Sequence, residues 1–263
     1  YQTVLAVLCP TQFQAATYPD HYQSRITVNH DGIDTDTIVS NPDARMDLTS
    51  GKTLTRRDEV ITFVNRTLEP YRGYHIFMRA LPDLLRQRPN TQIVILGGDE
   101  TSSGAKPPEG QTWKQIFFDE VRGNISDEDW SLVHFLGRVP YPTFLALIQV
   151  SRLHVYLTYP FVLSWSLLEA MSAECAILAS DTAPVREAIT DGETCVMTNF
   201  FDTTALVEKA CALLDDPEKR ATLGKNARKH VVRNFDLRRT CLPGQLAWVD
   251  DLANMPEPRQ PQD

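Results

Sequence analysis

The chain has 263 residues, a formal charge of −8, 42% hydrophobic residues and 23% charged ones, enough apolar material for a sizeable soluble core. The acidic balance excludes broad nucleic-acid binding, which needs a basic face, and no apolar run reaches membrane-spanning length. Five scattered cysteines (Cys9, Cys175, Cys195, Cys211, Cys241) form no C-x-x-C pair, so neither a zinc site nor a disulfide framework is implied and a reducing cytoplasm is the simplest setting.

The sequence opens without an initiator Met, inside a strand-like run Thr3–Leu8, and reads as a piece of a longer polypeptide. A short helix from about Thr11, a strand Arg25–Asn29 and the turn His30-Asp31-Gly32-Ile33-Asp34 follow. Residues 40–58, polar with Pro42 and Gly51, read as a linker or surface loop. A regular alternation then begins: strand Glu59–Asn65, helix Gly73–Arg88 and strand Thr91–Leu96 ending in Gly97-Gly98-Asp99. It continues with a Gly/Pro loop, a helix around Trp113–Val121, strand Val133–Leu136, a helix near Pro142–Val150 and strand Leu153–Thr158. A helix to about Ala173, strand Ala176–Ser180, a helix starting near Pro184 and strand Cys195–Thr198 complete it. Helices Thr204–Leu214, Pro217–Asn234 and Leu237–Asn254 close the chain before a Pro- and Gln-rich tail, Pro256–Asp263, of disordered composition.

The strands are continuous apolar runs, the pattern of a parallel sheet covered on both faces. The expected fold is α/β: a doubly wound, Rossmann-like domain.

In such a sheet the strand ends share one edge. There the sequence delivers Arg66 and Arg72-Gly73, then Gly97-Gly98, then Gly137-Arg138-Val139, then Ser164-Trp165-Ser166 with Glu169. Two guanidiniums, glycines and a helix amino terminus suit a diphosphate, and a carboxylate suits vicinal ribose hydroxyls. Together they describe a nucleoside diphosphate pocket. Each has a plainer reading. Arg66 alone is a surface arginine, Gly97-Gly98 a turn and Trp165 core. Ser166 and Glu169 have capping-box spacing, S-x-x-E, and on spacing alone the cap is the better account of Glu169. Set beside Arg66, Arg72 and Gly137, the ribose role becomes the better one, and the two need not exclude each other. His154, in an apolar strand, reads as a core residue, and His30, His75, His134 and His230 lack metal-ligand spacing.

The ordered set resembles the carboxyl-terminal, donor-binding half of a GT-B glycosyltransferase of family 4. Its carriers are Ile61–Arg66 with Arg72-Gly73, Ile93–Gly98, Phe135–Arg138, Leu167–Met171, Pro184 with Glu187, and Asp191-Gly192. The resemblance implies that Arg66 and Arg72 are catalytic, stabilising the donor's diphosphate. Glu169 would hold the ribose, while Ser164, Trp165 and Ser166 would meet phosphate or sugar. Gly98, Arg138 and Val139 would complete the donor pocket, the latter two beside the base. It implies residues 1–40 as a remnant of the acceptor domain and hinge, 41–234 as the donor domain, and 235–263 as a helix crossing back plus tail. It further implies retaining transfer without metal or cofactor. The implied partners are a nucleotide sugar and, through a missing domain, a glycan or glycolipid acceptor, any membrane contact also belonging to that domain. The chain departs from the family at Phe161, where a sugar-contacting glutamate is expected, and at Ser164, Glu174 and Cys195, where glycines are expected; Arg72 also lies one residue farther from Arg66 than is usual. Two other readings stand beside this one: a degenerate, non-catalytic binding module, and a nucleotide-sugar epimerase on the same architecture.

Overall fold

A computed structural model describes residues 5–254. The expected tail Pro256–Asp263 and the start of the first strand lie outside the described residues. A small parallel pair, β1 (Val7–Cys9) and β2 (Ile26–Val28), comes first. Between them lie α1 (Gln12–Ala15) and a 3-10 turn, Asp20–Arg25. Glu187 accepts the backbone N–H groups of Gln12 and Phe13 at 2.6 and 2.5 Å, tying this opening segment to the main domain.

Residues 40–58 are not a plain loop. They carry an antiparallel hairpin, β3 (Arg45–Asp47) with β4 (Thr53–Thr55), whose Met46 and Leu54 are buried. Each strand is three residues long with one apolar side chain facing in, too short for its alternation to stand out among polar neighbours.

The main sheet has six strands in the order β10-β9-β8-β5-β6-β7, and every pairing is parallel. In chain order its elements are β5 (Val60–Thr67), α2 (Tyr74–Gln87), β6 (Gln92–Gly98), α3 (Trp113–Arg122), α4 (Asp127–Trp130), β7 (Val133–Gly137), α5 (Tyr141–Val150), β8 (Leu153–Tyr156), α6 (Trp165–Ser172), β9 (Ala176–Ser180), α7 (Ala183–Arg186), β10 (Val196–Thr198), α8 (Thr203–Asp215) and α9 (Pro217–Asn234). The terminal helix expected over 237–254 is present and begins with a π-helical turn, Leu237–Cys241, that runs without a gap into α10 (Leu242–Ala253); no residue of α10 is buried.

Alternate side chains of each strand enter two cores. Val60, Val64, Val94 and Ile177 meet α5, α6, α9 and the hairpin on one face. Ile61, Phe63, Ile93, Ile95 and Leu178 meet α2, α3 and α8 on the other, where Phe63 stacks on Phe77 at 4.5 Å. Each such side chain contributes roughly 1.5–3 kcal/mol by leaving water. His154 is wholly buried. Its Nδ1 is 2.9 Å from Thr62 Oγ1, and burial lowers its pKa to about 4, so it is a neutral core residue as the sequence suggested.

The segment 30–34 meets the chain again near its other end. Ile33 N–H donates to Phe235 O, and Leu237 N–H to Ile33 O. Two stretches some two hundred residues apart thus run side by side.

Candidate functional site

β5 and β8 are neighbours, yet the chain leaves them towards opposite halves of the sheet. The crevice beyond the carboxyl ends of such strands is where open α/β sheets take ligands. The loops following these two strands carry most of the expected site.

Arg66 is positioned by an irregularity. Val64 pairs with Leu96 but Thr67 with Gly98, three steps on β5 against two on β6. The extra residue is a β-bulge, which re-aims side chains. It leaves Arg66 exposed between buried Asn65 and Thr67. β7 has a matching slip beside β6, between Phe135 and Gly137, just before exposed Arg138.

Arg72 is held differently. Its Nε donates to Glu69 at 3.2 Å, with both side chains largely buried. The Glu69 carboxylate also accepts the N–H groups of Ser102 and Ser103 at 2.7 and 3.0 Å and the Ser102 hydroxyl at 2.8 Å. A buried pair whose lone pairs are filled this way holds its geometry firmly. Gly73 follows at φ +71°, where an added Cβ would lie 2.3 Å from Leu157 Cβ. Only glycine lets this loop pass so close to the one after β8. The Arg72 guanidinium carbon lies 5.8 Å from the centre of the Phe161 ring.

Tyr156 anchors the start of α6. Its hydroxyl accepts the Ser164 N–H at 2.9 Å. Burial pushes the phenol up to about 12, while that hydrogen bond and the Arg72 charge pull it back. Ser164 is the N-cap of α6, and its Oγ lies 3.0 Å from that of buried Ser166. Glu169 is therefore the fifth helical residue, two beyond the position from which a capping-box carboxylate reaches back. The S-x-x-E spacing does not form a cap. Glu169 instead accepts the Tyr141 hydroxyl at 3.1 Å. Burial raises its pKa, with the Tyr141 bond acting in the opposite sense. Nor is Trp165 core: it is 56% exposed, its indole N–H donating to Asp31 at 3.2 Å.

Gly98 and Arg138 do come together. A Cβ on Gly98 would lie 2.8 Å from Arg138 Nε, and Arg138 pairs with Glu100 at 2.8 Å. They border a cavity of about 660 Å³ that Lys114 and Gly137 also line. Val139 packs its side chain against the core.

The comparisons with known proteins fit this geometry. Residues 47–230 match the model of glycosyl transferases group 1. The chain belongs to that family. Residues 1–38 match a second model, the glycosyl transferase family 4 group. Among curated relatives of this group 1 glycosyltransferase chain is a GDP-mannose-dependent alpha-(1-6)-phosphatidylinositol monomannoside mannosyltransferase of Mycolicibacterium smegmatis, 28% identical over 79% of the chain and 52% of the relative. Another is the lipopolysaccharide core biosynthesis mannosyltransferase LpcC of Rhizobium leguminosarum, 29% identical over 64% of the chain and 44% of the relative. The chain thus spans about half the length of the curated relatives it matches. Sucrose-phosphate synthase of Thermosynechococcus elongatus superimposes with a TM-score of 0.75 at 19% identity, covering 95% of this chain and 59% of that one. Anabaena HepE, solved with UDP and glucose, gives 0.74 at 18% identity, covering 97% and 64%. These likenesses show the GT-B fold.

Three residues around the crevice were not singled out from the sequence. Glu69 had one available signal, a carboxylate at ion-pair spacing, three residues before Arg72. Tyr141 and Asp31 had none, because they reach Glu169 and Trp165 only through the fold. No helix among the described residues is long and apolar enough to cross a membrane.

Proposed function

We propose that this chain is the donor-binding part of a retaining, metal-independent glycosyltransferase that moves a sugar from a nucleoside diphosphate sugar to an acceptor hydroxyl. One observation carries the reading. Arg72, pinned by buried Glu69, lies 5.8 Å from the Phe161 ring in the loop that leads into α6, so a fixed cation and a helix dipole border one crevice. Arg66, on the neighbouring bulge, adds a second cation.

As the donor bond breaks, negative charge grows on the departing diphosphate. Arg66, Arg72 and the first N–H groups of α6 are preorganised donors that offset it without reorganising solvent. Glu169, oriented by Tyr141, accepts hydrogen bonds from the ribose hydroxyls. Ser164, Ser166 and Trp165 border the phosphates and the transferred sugar, while Gly98 and Arg138 line the base side, backed by core-packed Val139. HepE, whose structure holds UDP and glucose, supports a nucleotide sugar as ligand. The acceptor, glycan or glycolipid, and any membrane contact would come through a portion of the protein beyond this chain.

Calorimetric titration with UDP, GDP and ADP tests this reading. Saturable binding of at least one is expected, weakened by about 1.5–3 kcal/mol in Arg66→Ala. Absence of binding to all three would sink it. Phe161 favours a second reading, a degenerate binding module. It occupies the position expected for a sugar-contacting glutamate and faces Arg72 with a ring. A folded chain with no nucleotide affinity is the outcome that reading requires.

A further inference from the structure

The opposite edge of the sheet, where strands begin, holds a cavity of about 380 Å³. Its wall contains three half-buried arginines: Arg56 before β5, Arg152 before β8 and Arg220 in the first turns of α9. Among the described residues, a single guanidinium nitrogen of each donates to protein, and only to neutral acceptors. Arg56 donates to Ser40 Oγ at 2.9 Å. Arg152 donates to the backbone oxygens of Arg57 and Arg56 at 2.8 and 3.2 Å. Arg220 donates to the carbonyls of Leu213 and Leu214. Among the described residues none of the three has a carboxylate within ion-pair distance.

The nearby carboxylates are committed elsewhere. Glu59 is taken by Arg88 at 2.6 Å, and Asp216 accepts the Lys219 N–H at 2.8 Å. Glu174, the one acid on the cavity wall, lies 4.0 Å from Arg228. Burial and neighbouring Arg152 lower the Arg220 pKa, and the Glu59 and Asp216 charges offset this only in part, a cost that an anion in the cavity would relieve. The positive end of α9 faces the same space from Pro217. In a chain of net charge −8, three guanidiniums and a single carboxylate lining one concavity are a specific feature.

We propose that Arg56, Arg152 and Arg220 form a second anion site, on the edge opposite the crevice, that takes a small phosphomonoester. Guanidinium forks match phosphate oxygens in geometry and charge. The volume selects an ester over the bare ion. At about 30 Å³ per water the cavity has room for roughly a dozen waters, so inorganic phosphate leaves most of it unfilled. Val150, Ala176 and Ala221 supply an apolar wall for a carbon skeleton. The length of β5, at about 3.3 Å per residue, puts this site on the order of 20 Å from the crevice, so its ligand does not compete with a nucleotide.

The test is calorimetry of the 263-residue chain with a hexose monophosphate, with inorganic phosphate, and with chloride at matched ionic strength. The expected result is saturable binding of the hexose monophosphate, tighter than phosphate, unchanged by saturating UDP, and weakened at least tenfold in Arg152→Gln and in Arg56→Gln. Among the described residues the Arg56 side chain bonds only Ser40, so that variant keeps the fold and the test stays decisive. Binding no stronger than chloride, phosphate bound as tightly as its ester, displacement by UDP, or full affinity in both variants would each overturn the proposal.

Discussion

The two loops that flank the crevice are built on opposite principles. After β5, position is fixed by charge. Glu69 receives four donors, one of them Arg72 Nε, and Gly73 wedges against Leu157. After β8, position is fixed by rings and single bonds. The Tyr159 N–H donates to Tyr71 O at 2.8 Å, Tyr71 meets Tyr159 and Phe161 at centroid distances of 5.5 and 5.7 Å, and the Tyr156 hydroxyl holds Ser164. A charge network is rigid because every missing partner is costly in a low dielectric. Aromatic contacts are individually modest and tolerate repacking. Within the proposed function, the β5 side suits the invariant part of a donor, its diphosphate. The β8 side suits the variable part, its sugar.

The sharpest way to break this contrast is at its hinge. Gly73→Ala puts a methyl group 2.3 Å from Leu157 Cβ and asks alanine to hold φ +71°. A loss of about 3 kcal/mol is expected, from overpacking and left-handed strain together, read by urea denaturation. A loss under about 1 kcal/mol would show that the two loops are not locked together. Next comes Glu69→Gln, which removes the buried charge but keeps the shape. It should cost roughly 2 kcal/mol and weaken UDP binding by freeing Arg72. Unchanged UDP affinity would mean that Arg72 does not need its partner.

The frame of this arrangement was readable from residue order. Continuous apolar runs such as Val60–Val64 and Ile93–Leu96 could satisfy only a sheet buried on both faces, and their spacing from amphipathic helices fixed a parallel one. Arg66 and Arg72 were readable as strand-end cations. Their different settings were not, because a bulge depends on the register of two strands and a buried carboxylate on a loop thirty residues away. The capping-box reading of Ser166 and Glu169 failed for a similar reason. The helix start is decided by Tyr156 gripping Ser164 N–H, a contact between elements, whereas S-x-x-E is a local rule. Trp165 was read as possible core because helical spacing gives a face but not what lies opposite it.

Glu169 tests the ribose side at smaller amplitude. Glu169→Gln should weaken UDP binding by about 1–2 kcal/mol, the value of one charge-assisted hydrogen bond over a neutral one, and leave pyrophosphate binding unchanged. The acid–base sign follows from burial. The folded pKa lies above its ordinary value, so the charged acceptor is lost on acidification at a higher pH than an ordinary carboxylate near 4.3. UDP affinity should therefore rise with pH through that raised pKa. For stability the sign is reversed: a carboxylate with a raised folded pKa stabilises the fold most where it is protonated, below its unfolded pKa, and that contribution disappears as pH climbs through the folded value. The glutamine variant removes both dependences, which separates Glu169 from the titration of UDP itself. Identical pH profiles for the two proteins would take the carboxylate out of the site.

The smallest expected effect falls on Phe161, and it separates the two loops most directly. Its ring contributes a cation–π contact to Arg72, worth about 0.5–1 kcal/mol at a partly exposed position. Phe161→Leu should cost no more than that in stability and leave UDP affinity nearly intact, because Glu69 continues to orient Arg72. The discrimination among UDP-sugars is where a change should appear, since on the proposed reading the ring borders the sugar and not the diphosphate. If the same substitution instead lowers UDP affinity tenfold while the ranking of sugars stays fixed, then Phe161 positions Arg72. The ring would then act as part of the charged frame, and the division between a rigid phosphate side and an adaptable sugar side would fail at the residue where the two loops touch.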